Sequence, residues 1–318
     1  MSKYEVIKHK RRIWAPIFQL LMAALGTCSS SFVTAQDLEP RSYFNLPVGQ
    51  NFLVAAYGYS EGELNVAPGV PLEDTQMTMD SLVVGYARSL NIGGKSGKIS
   101  LVGGNSCMKG DGIFRGEFSK VDRCGWLDPR IHFSYNFFGA PAMTMAEFQG
   151  RKNRGNLVAG VSLLVIPPLG DYSSEYLFNT SGNRWVVRPE IGVSKGWGKW
   201  SAELALGVRF FSDNDEFFNN ITLEQDELYN LQGHLMYSLR KGRWISINSN
   251  YFWGGRTTKG GQRTEDRQSN SRFGATLNWP LNSQHALKFF ANTGYRFRIG
   301  NDFNTFGIAW QYRWGPTD

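Results

Sequence analysis

A fourteen-residue segment near the end of the sequence, Asn301 to Trp314, constrains the fold more than any other segment. From Phe306 onward, aromatic and aliphatic side chains occupy every second position, and small or polar side chains occupy the positions between them. A period of two is that of a β-strand, because successive side chains point to opposite faces. One aromatic face and one small or polar face are typical of a strand between lipid and water. The segment therefore predicts a membrane-spanning strand.

The same alternation recurs along the chain after about the first fifty residues. It is clear in residues 130–137, 185–194, 201–210, 229–240, 273–279, 287–297 and 301–314. It is weaker in residues 52–60, 79–90, 98–104, 157–166 and 244–253, and in the first two of these the apolar face cannot be assigned. Together the segments predict twelve strands, an even number as in single-chain bacterial barrels. The predicted fold is all-β, a transmembrane antiparallel β-barrel of the outer-membrane type.

The connections between the predicted strands support this architecture. Short connections follow the second, sixth, eighth and tenth strands, at residues 91–97, 196–199, 241–243 and 280–284. Long polar connections follow the first, third, seventh and ninth strands. Outer-membrane barrels place short turns in the periplasm and long loops outside. The exceptions are residues 139–155, with a short helix expected at about 143–149, and a brief last outer loop expected at residues 300–302.

Tryptophans fall at the ends of the predicted strands, where two aromatic belts at the lipid headgroups are expected. The predicted periplasmic belt contains Trp197, Trp200, Trp244, Trp279 and Trp314, and the predicted outer belt contains Trp126, Trp185 and Trp253.

The N-terminus predicts export from the cytoplasm. Four basic residues from Lys8 to Arg12 precede an apolar stretch that ends near Gly26, and small residues continue to Ala35. This order predicts a secretory signal peptide over residues 1–35 and a barrel domain over residues 36–318. Lipid attachment at Cys28 is the disfavoured alternative. Cleavage would remove five basic residues and one acidic residue, so the formal charge would fall from +7 to +3. Basicity therefore gives no reason to expect a nucleic-acid partner.

Two cysteines, Cys107 and Cys124, remain in the predicted mature chain. In an oxidising compartment we expect them to form a disulfide within one outer loop. A zinc site is disfavoured because no histidine lies near them in the sequence. The acidic loop at residues 213–227 lacks the regular ligand spacing of a calcium site. No cofactor and no metal are expected.

Several motifs resemble the outer-membrane transporter family named for the meta-pathway of phenol degradation. They are Asp37-Leu38-Glu39-Pro40-Arg41, Pro47-Val48-Gly49-x-Asn51-Phe52, Asp128-Pro129-Arg130, Asn183-Arg184-Trp185, Arg188-Pro189-Glu190-x-Gly192-Val193-Ser194-Lys195, Phe210-Phe211-x-Asp213-Asn214-Asp215, Gln268-Ser269-Asn270-Ser271-Arg272 and Ala309-Trp310-Gln311-Tyr312-Arg313-Trp314. The resemblance implies a Gram-negative outer membrane and uptake of small solutes such as phenol-pathway compounds, without identifying the solute. The loop between the two cysteines departs from the family pattern.

The end of the chain carries a second resemblance. Thr305-x-Gly307-x-x-Trp310-x-Tyr312 resembles the C-terminal strand signal read by the barrel assembly machinery. The resemblance implies that this machinery and the lipids of the outer membrane are partners. The sequence leaves the oligomeric state open.

The inward faces of the predicted strands carry an excess of basic side chains. These are Arg130, Arg184, Arg188, Arg209, Arg240, Arg272, Lys288, Arg296, Arg298 and Arg313, against Glu190 and Glu203. The predicted solute path consists of Arg130, Arg184, Arg188, Glu190, Glu203, Arg209, Arg272, Lys288 and Arg296. Such an excess of positive charge is expected to attract anions and repel cations. Inward apolar residues suit an aromatic or amphiphilic acid, and also the packing of a narrow barrel: Leu164, Ile166, Val186, Phe211, Met236 and Phe290.

The predicted function is a passive outer-membrane channel for small, anionic or aromatic solutes. The main alternative is a structural barrel that arginine and loop contacts plug. A lipid hydrolase is less favoured, because His132, His234 and His285 are scattered and no motif surrounds a serine. No enzyme activity is therefore expected.

Overall fold

The computed structural model describes residues 40–65, 72–114, 116–150, 155–296 and 300–316, apart from some side chains near the ends of these ranges. The predicted signal peptide, Phe297 and Arg298 lie outside the described residues, as does the side chain of Arg296. The domain boundaries therefore remain predictions.

The described chain consists almost entirely of β-strands. They are β1 (Asn51–Asn65), β2 (Leu72–Ile92), β3 (Lys95–Phe114), β4 (Glu117–Trp126), β5 (Arg130–Phe138), β6 (Val158–Ile166), β7 (Val186–Trp197), β8 (Trp200–Phe211), β9 (Asn214–Phe217), β10 (Ile221–Gln225), β11 (Leu228–Ser238), β12 (Trp244–Gly254), β13 (Thr257–Lys259), β14 (Gln262–Arg263), β15 (Gln268–Pro280), β16 (His285–Arg296) and β17 (Gly300–Trp314). One helix, α1 (Met145–Gly150), lies near the predicted position. Among the described residues, no helix is long and apolar enough to cross a membrane.

Twelve of the described strands close into one antiparallel barrel, as predicted. They are β1, β2, β3, β5, β6, β7, β8, β11, β12, β15, β16 and β17. Closure comes from β1, which pairs with β17 from Asn51↔Trp314 to Asn65↔Gly300 and with β2 on its other side. In lipid every backbone N–H and C=O must be paired within the protein, so a closed ladder is required. The predicted loop at residues 300–302 is wrong, because these residues belong to β17 and pair with β1.

Two strands are much longer than the membrane requires. β2 has 21 residues and β3 has 20, whereas about 9–11 residues cross a bilayer. β3 pairs with β5 only from Gly97 to Val102, and its outer half pairs with β4 instead. The outer halves of β2 and β3, with β4, therefore form a sheet that stands above the barrel wall.

The outer connections after β8 and β12 form a second, small sheet in the order β14-β13-β10-β9. An ion pair joins Arg263 to Asp226, and the backbone N–H of Thr257 donates to Asp266 at 2.7 Å. Burial alone would raise the pKa of Asp266, but hydrogen bonds from Thr257 and Thr264 outweigh it, so the pKa of this carboxyl is lowered. Asp266 therefore stays ionised and can stabilise the outer connection after β12.

The structure shows which faces of β1 and β2 point into the lumen, a question that the sequence left open. Even-numbered residues of β1 and odd-numbered residues of β2 face the lumen, as the burial of Ser60, Met79 and Val83 indicates. Trp244 does not belong to the periplasmic aromatic belt, because it lies on the inward face of β12 and is 5% exposed. The guanidinium carbon of Arg41 lies 4.6 Å from the centre of its ring, which favours the inward position.

We expect replacement of Gly104 by Ala to destabilise the barrel, because a Cβ there would lie 2.3 Å from the backbone oxygen of Leu82 and 2.9 Å from the Cα of Val83. Overpacking of this kind costs about 1–3 kcal/mol. Gly103→Ala is the matched control, since nothing lies within 4 Å of its added Cβ. The measurement is the temperature at which the folded barrel, which migrates faster than the unfolded chain in gel electrophoresis, converts to the slower unfolded form. Equal temperatures for the two variants would contradict the close β2–β3 contact.

Candidate solute path in the barrel lumen

The segment before β1, residues 40–50, lies inside the periplasmic end of the barrel, and we call it the inner plug. Tyr43 at its centre is fully buried. The backbone N–H groups of Ser42 and Tyr43 each donate to the Glu203 carboxylate at 3.1 Å. The Tyr43 hydroxyl donates to Glu190 at 2.9 Å and lies 3.1 Å from the Ser162 hydroxyl. Both acidic residues of the predicted path therefore hold the plug.

Further contacts fix the inner plug along its length. Ser194 donates its hydroxyl to the Tyr43 carbonyl at 2.8 Å, and the Asn45 amide donates to the Pro141 carbonyl at 3.1 Å. The Val48 N–H donates to the Met143 carbonyl at 2.8 Å. The plug is thus bonded to the barrel wall and to the periplasmic segment before α1.

Glycine at position 192 makes room for the plug. A Cβ on Gly192 would lie 2.1 Å from the Tyr43 ring, so only glycine fits while Tyr43 stays in place. Gly160 stands opposite Gly192 on β6, and its added Cβ would also crowd the ring, at 2.9 Å. The plug was not predicted from the sequence. Its signal was this pair of small inward residues, which leaves space that the barrel wall does not fill.

Three arginines of the predicted path, Arg188, Arg209 and Arg272, lie buried on the inward face of the barrel. The Nε of Arg188 lies 4.0 Å from a carboxylate oxygen of Glu190. Arg272 donates to the Phe303 carbonyl at 2.6 Å and to Asn292 at 3.2 Å. These contacts give part of the positive charge a structural role, while all three guanidinium groups stay inside the lumen.

Two cavities occupy the described lumen. An inner cavity of about 270 Å³ lies against the plug and is lined by Lys98, Glu203, Lys288 and Phe290, among others. An outer cavity of about 410 Å³ lies beneath the outer loops and is lined by Arg184, Val186 and Phe211, among others. Arg130, Val83 and Val102 line both cavities. These three residues therefore mark the boundary between them.

Outer loop residues 167–184 cover the outer cavity. Asp128 accepts hydrogen bonds from the N–H groups of Gly170 and Gly182 at 2.9 Å each, and from the Ser181 hydroxyl at 2.7 Å. Tyr172 in this loop lines the same cavity, and burial raises its pKa. One partly buried carboxylate thus fastens the loop at both ends over the barrel mouth.

Cys107 and Cys124 are joined by a disulfide in the structure. They face each other directly in the β3–β4 ladder, outside the membrane-embedded wall. The pair cross-links the two strands of the outer sheet. It does not line either lumen cavity described above.

Two basic residues predicted to face the lumen lie at its periplasmic end, away from both cavities. Arg240 is exposed in a periplasmic turn, because β11 ends at Ser238 and the alternation stops there. Arg313 lies at the periplasmic rim, where it donates to the Ser283 carbonyl at 2.6 Å. Among the described residues, no group of three or more His, Cys, Asp or Glu side chains is placed to hold a metal ion.

A family model described as "Putative MetA-pathway of phenol degradation" matches residues 88–312. The chain belongs to this family. An outer-membrane channel from Pseudomonas putida F1 is 21% identical, with a TM-score of 0.72 over 87% of this chain and 100% of that one. The transport unit of the autotransporter AIDA-I from Escherichia coli is 9% identical, with a TM-score of 0.52 over 89% and 94%. No curated protein sequence matches the chain.

These likenesses show the fold, and they agree with the predicted family and location. The chain is a β-barrel of the Gram-negative outer membrane, surrounded by lipid on its aromatic face. The first of these structures is named as a channel and the second as the transport unit of an autotransporter.

We expect Gly192→Ala to expel Tyr43 and loosen the inner plug. The measurement is the labelling rate of an Asn45→Cys thiol, since Asn45 is 4% exposed in the folded protein. If the free energy needed for the plug to leave its site falls by about 1.4 kcal/mol, labelling should be at least about tenfold faster. Gly58→Ala is the control, because nothing lies within 4 Å of its added Cβ. Unchanged labelling in Gly192→Ala would refute the role assigned to this glycine.

Proposed function

We propose that the protein is a passive outer-membrane channel for small solutes that are anionic or aromatic. The observation that carries the proposal is the set of buried arginines on the lumen face, of which Arg188 lines the inner cavity and Arg209 lines the outer cavity. Positive side chains in a narrow, poorly solvated passage attract anions and repel cations. Apolar residues among them, such as Phe290 and Val186, offer contacts to an aromatic ring.

The second candidate is a plugged barrel that does not transport. The inner plug favours it, since Tyr43 and its bonds to Glu190 and Glu203 fill the periplasmic end. Ion conductance in planar bilayers separates the two candidates. A plugged barrel gives no openings in the native protein and conducts at most after Gly192→Ala loosens the plug, whereas a channel opens in the native protein.

We further propose that the barrel assembly machinery recognises β17. Trp310, Tyr312 and Trp314 stack in succession on the outward face of this strand. Deletion of residues 305–318 should abolish insertion into the outer membrane, because the β1 ladder would then lose its partner.

Replacing Arg188 and Arg209 with Gln tests anion selectivity. We expect the reversal potential in a salt gradient to shift towards cations, because two positive charges leave the lumen. The native preference should weaken near 1 M salt, where the Debye length is about 3 Å. Arg240→Gln is the matched control, since Arg240 lies in an exposed turn.

An unchanged reversal potential in a folded, conducting double variant would mean that these arginines serve structure alone. The solute itself requires a separate test. Uptake or growth of a deletion strain on aromatic acids, with complementation by the native chain, would identify the class of solute.

A further inference from the structure

A third cavity lies outside the membrane-embedded wall, and we call it the outer pocket. It forms where the sheet of β2, β3 and β4 packs against outer loop residues 175–178. Its volume is about 170 Å³, and Met77, Val121, Leu177 and Phe178 supply most of an apolar lining. A dry apolar cavity of about 150 Å³ can hold one benzene ring. The outer pocket therefore has the size of a single aromatic ring with one or two substituent atoms.

One polar group of this pocket has no hydrogen-bond partner among the described residues. Thr75 lines the pocket and is 6% exposed, and its hydroxyl makes no hydrogen bond within the described part of the chain. A buried hydroxyl without a partner is unfavourable, because it loses its bonds to water and gains none. A ligand that brings one hydroxyl group into the pocket would satisfy it.

The charged groups around the pocket favour a neutral ligand. The guanidinium of Arg123 stacks 3.2 Å from the centre of the Tyr176 ring, and it donates to the Phe178 carbonyl at 3.0 Å. Its positive charge is thus engaged in holding the loop over the pocket. The other two charged lining residues, Asp111 and Glu175, are acidic and exposed at the rim. A carboxylate ligand would meet their like charge.

We propose that the outer pocket binds a neutral, monocyclic aromatic compound that carries one hydroxyl group. The ring packs against Val121, Phe178 and the thioether of Met77, since sulfur–aromatic contacts are favourable. The ligand hydroxyl pairs with the Thr75 hydroxyl. Leu177 lines both this pocket and the outer lumen cavity, so the site adjoins the proposed solute path.

Equilibrium binding of 4-fluorophenol to the full chain in lipid nanodiscs tests the proposal, with fluorine NMR as the readout and empty nanodiscs as the blank. Thr75→Val removes the hydroxyl at nearly constant shape, and Thr75→Ser keeps it. We expect about tenfold weaker binding of 4-fluorophenol in Thr75→Val and near-native binding in Thr75→Ser, as loss of one buried hydrogen bond predicts.

Two further ligands sharpen the test. Fluorobenzene lacks the hydroxyl, so its binding should not weaken in Thr75→Val. 4-Fluorobenzoate should bind at least about tenfold more weakly than 4-fluorophenol, because of Asp111 and Glu175. Equal effects of Thr75→Val on 4-fluorophenol and fluorobenzene would overturn the role of Thr75. Equal affinity for the benzoate, or native binding in a folded Val121→Trp variant that fills the pocket, would overturn the site.

The inference extends the proposed channel function, and the two can fail separately. Binding to the outer pocket is measured without transport, whereas the reversal potential of the arginine variants is measured without this ligand. Saturable, Thr75-dependent binding in a protein that never conducts would support the pocket and reject the channel. Conductance without such binding would support the channel and reject the pocket.

Discussion

The rest of the structure depends on the closure of the barrel by the β1–β17 ladder. A membrane offers no water to unpaired backbone groups, so the first and last strands must pair along the membrane-embedded length. Fifteen register pairs from Asn51↔Trp314 to Asn65↔Gly300 provide this closure. Once the ring is closed, alternation divides each strand into a lipid face and a lumen face. All polar residues on the inner face must then find partners inside the same narrow space.

That requirement explains the inner plug. Glu190 and Glu203 are each less than a tenth exposed, and a carboxyl group buried in such a place needs hydrogen-bond partners. The N-terminal segment supplies them through two backbone N–H groups and the Tyr43 hydroxyl. In turn, Gly160 and Gly192 leave the space into which Tyr43 fits. The acids, the glycines and the plug form one unit, so none of them is explained by solute passage alone.

The outer half obeys a different constraint, because there the strands leave the lipid and stand in water. The long strands β2 and β3 form a sheet with β4, and the disulfide cross-links β3 to β4. Loop residues 167–184 cover the inner side of this sheet. The methionines Met77, Met79 and Met108 pack with Phe303 beneath that loop. The lumen carries buried arginines near the outer ends of β7, β8 and β15, whereas the outer pocket is apolar with acidic residues at its rim. The two regions suit different parts of an amphiphilic aromatic solute.

The sequence by itself determined the twelve strands, the side of each short turn and the family, because alternation and turn residues are local properties. It also placed Arg188, Arg209 and Arg272 on the lumen face, since a period of two fixes the face once one residue is assigned. The predictions were wrong at the ends of strands, where the alternation stops. Arg240 and residues 300–302 were misplaced there, and Trp244 was assigned to the wrong face.

Only the tertiary structure decided what fills the barrel. Tyr43 and Glu203 are 160 residues apart in the chain, and no local pattern joins them. The same holds for Thr75, Val121 and Phe178, which three separate elements bring to one pocket. Strand periodicity depends on residues that are neighbours in the sequence. The contents of a lumen or pocket depend instead on which distant segments barrel closure brings together.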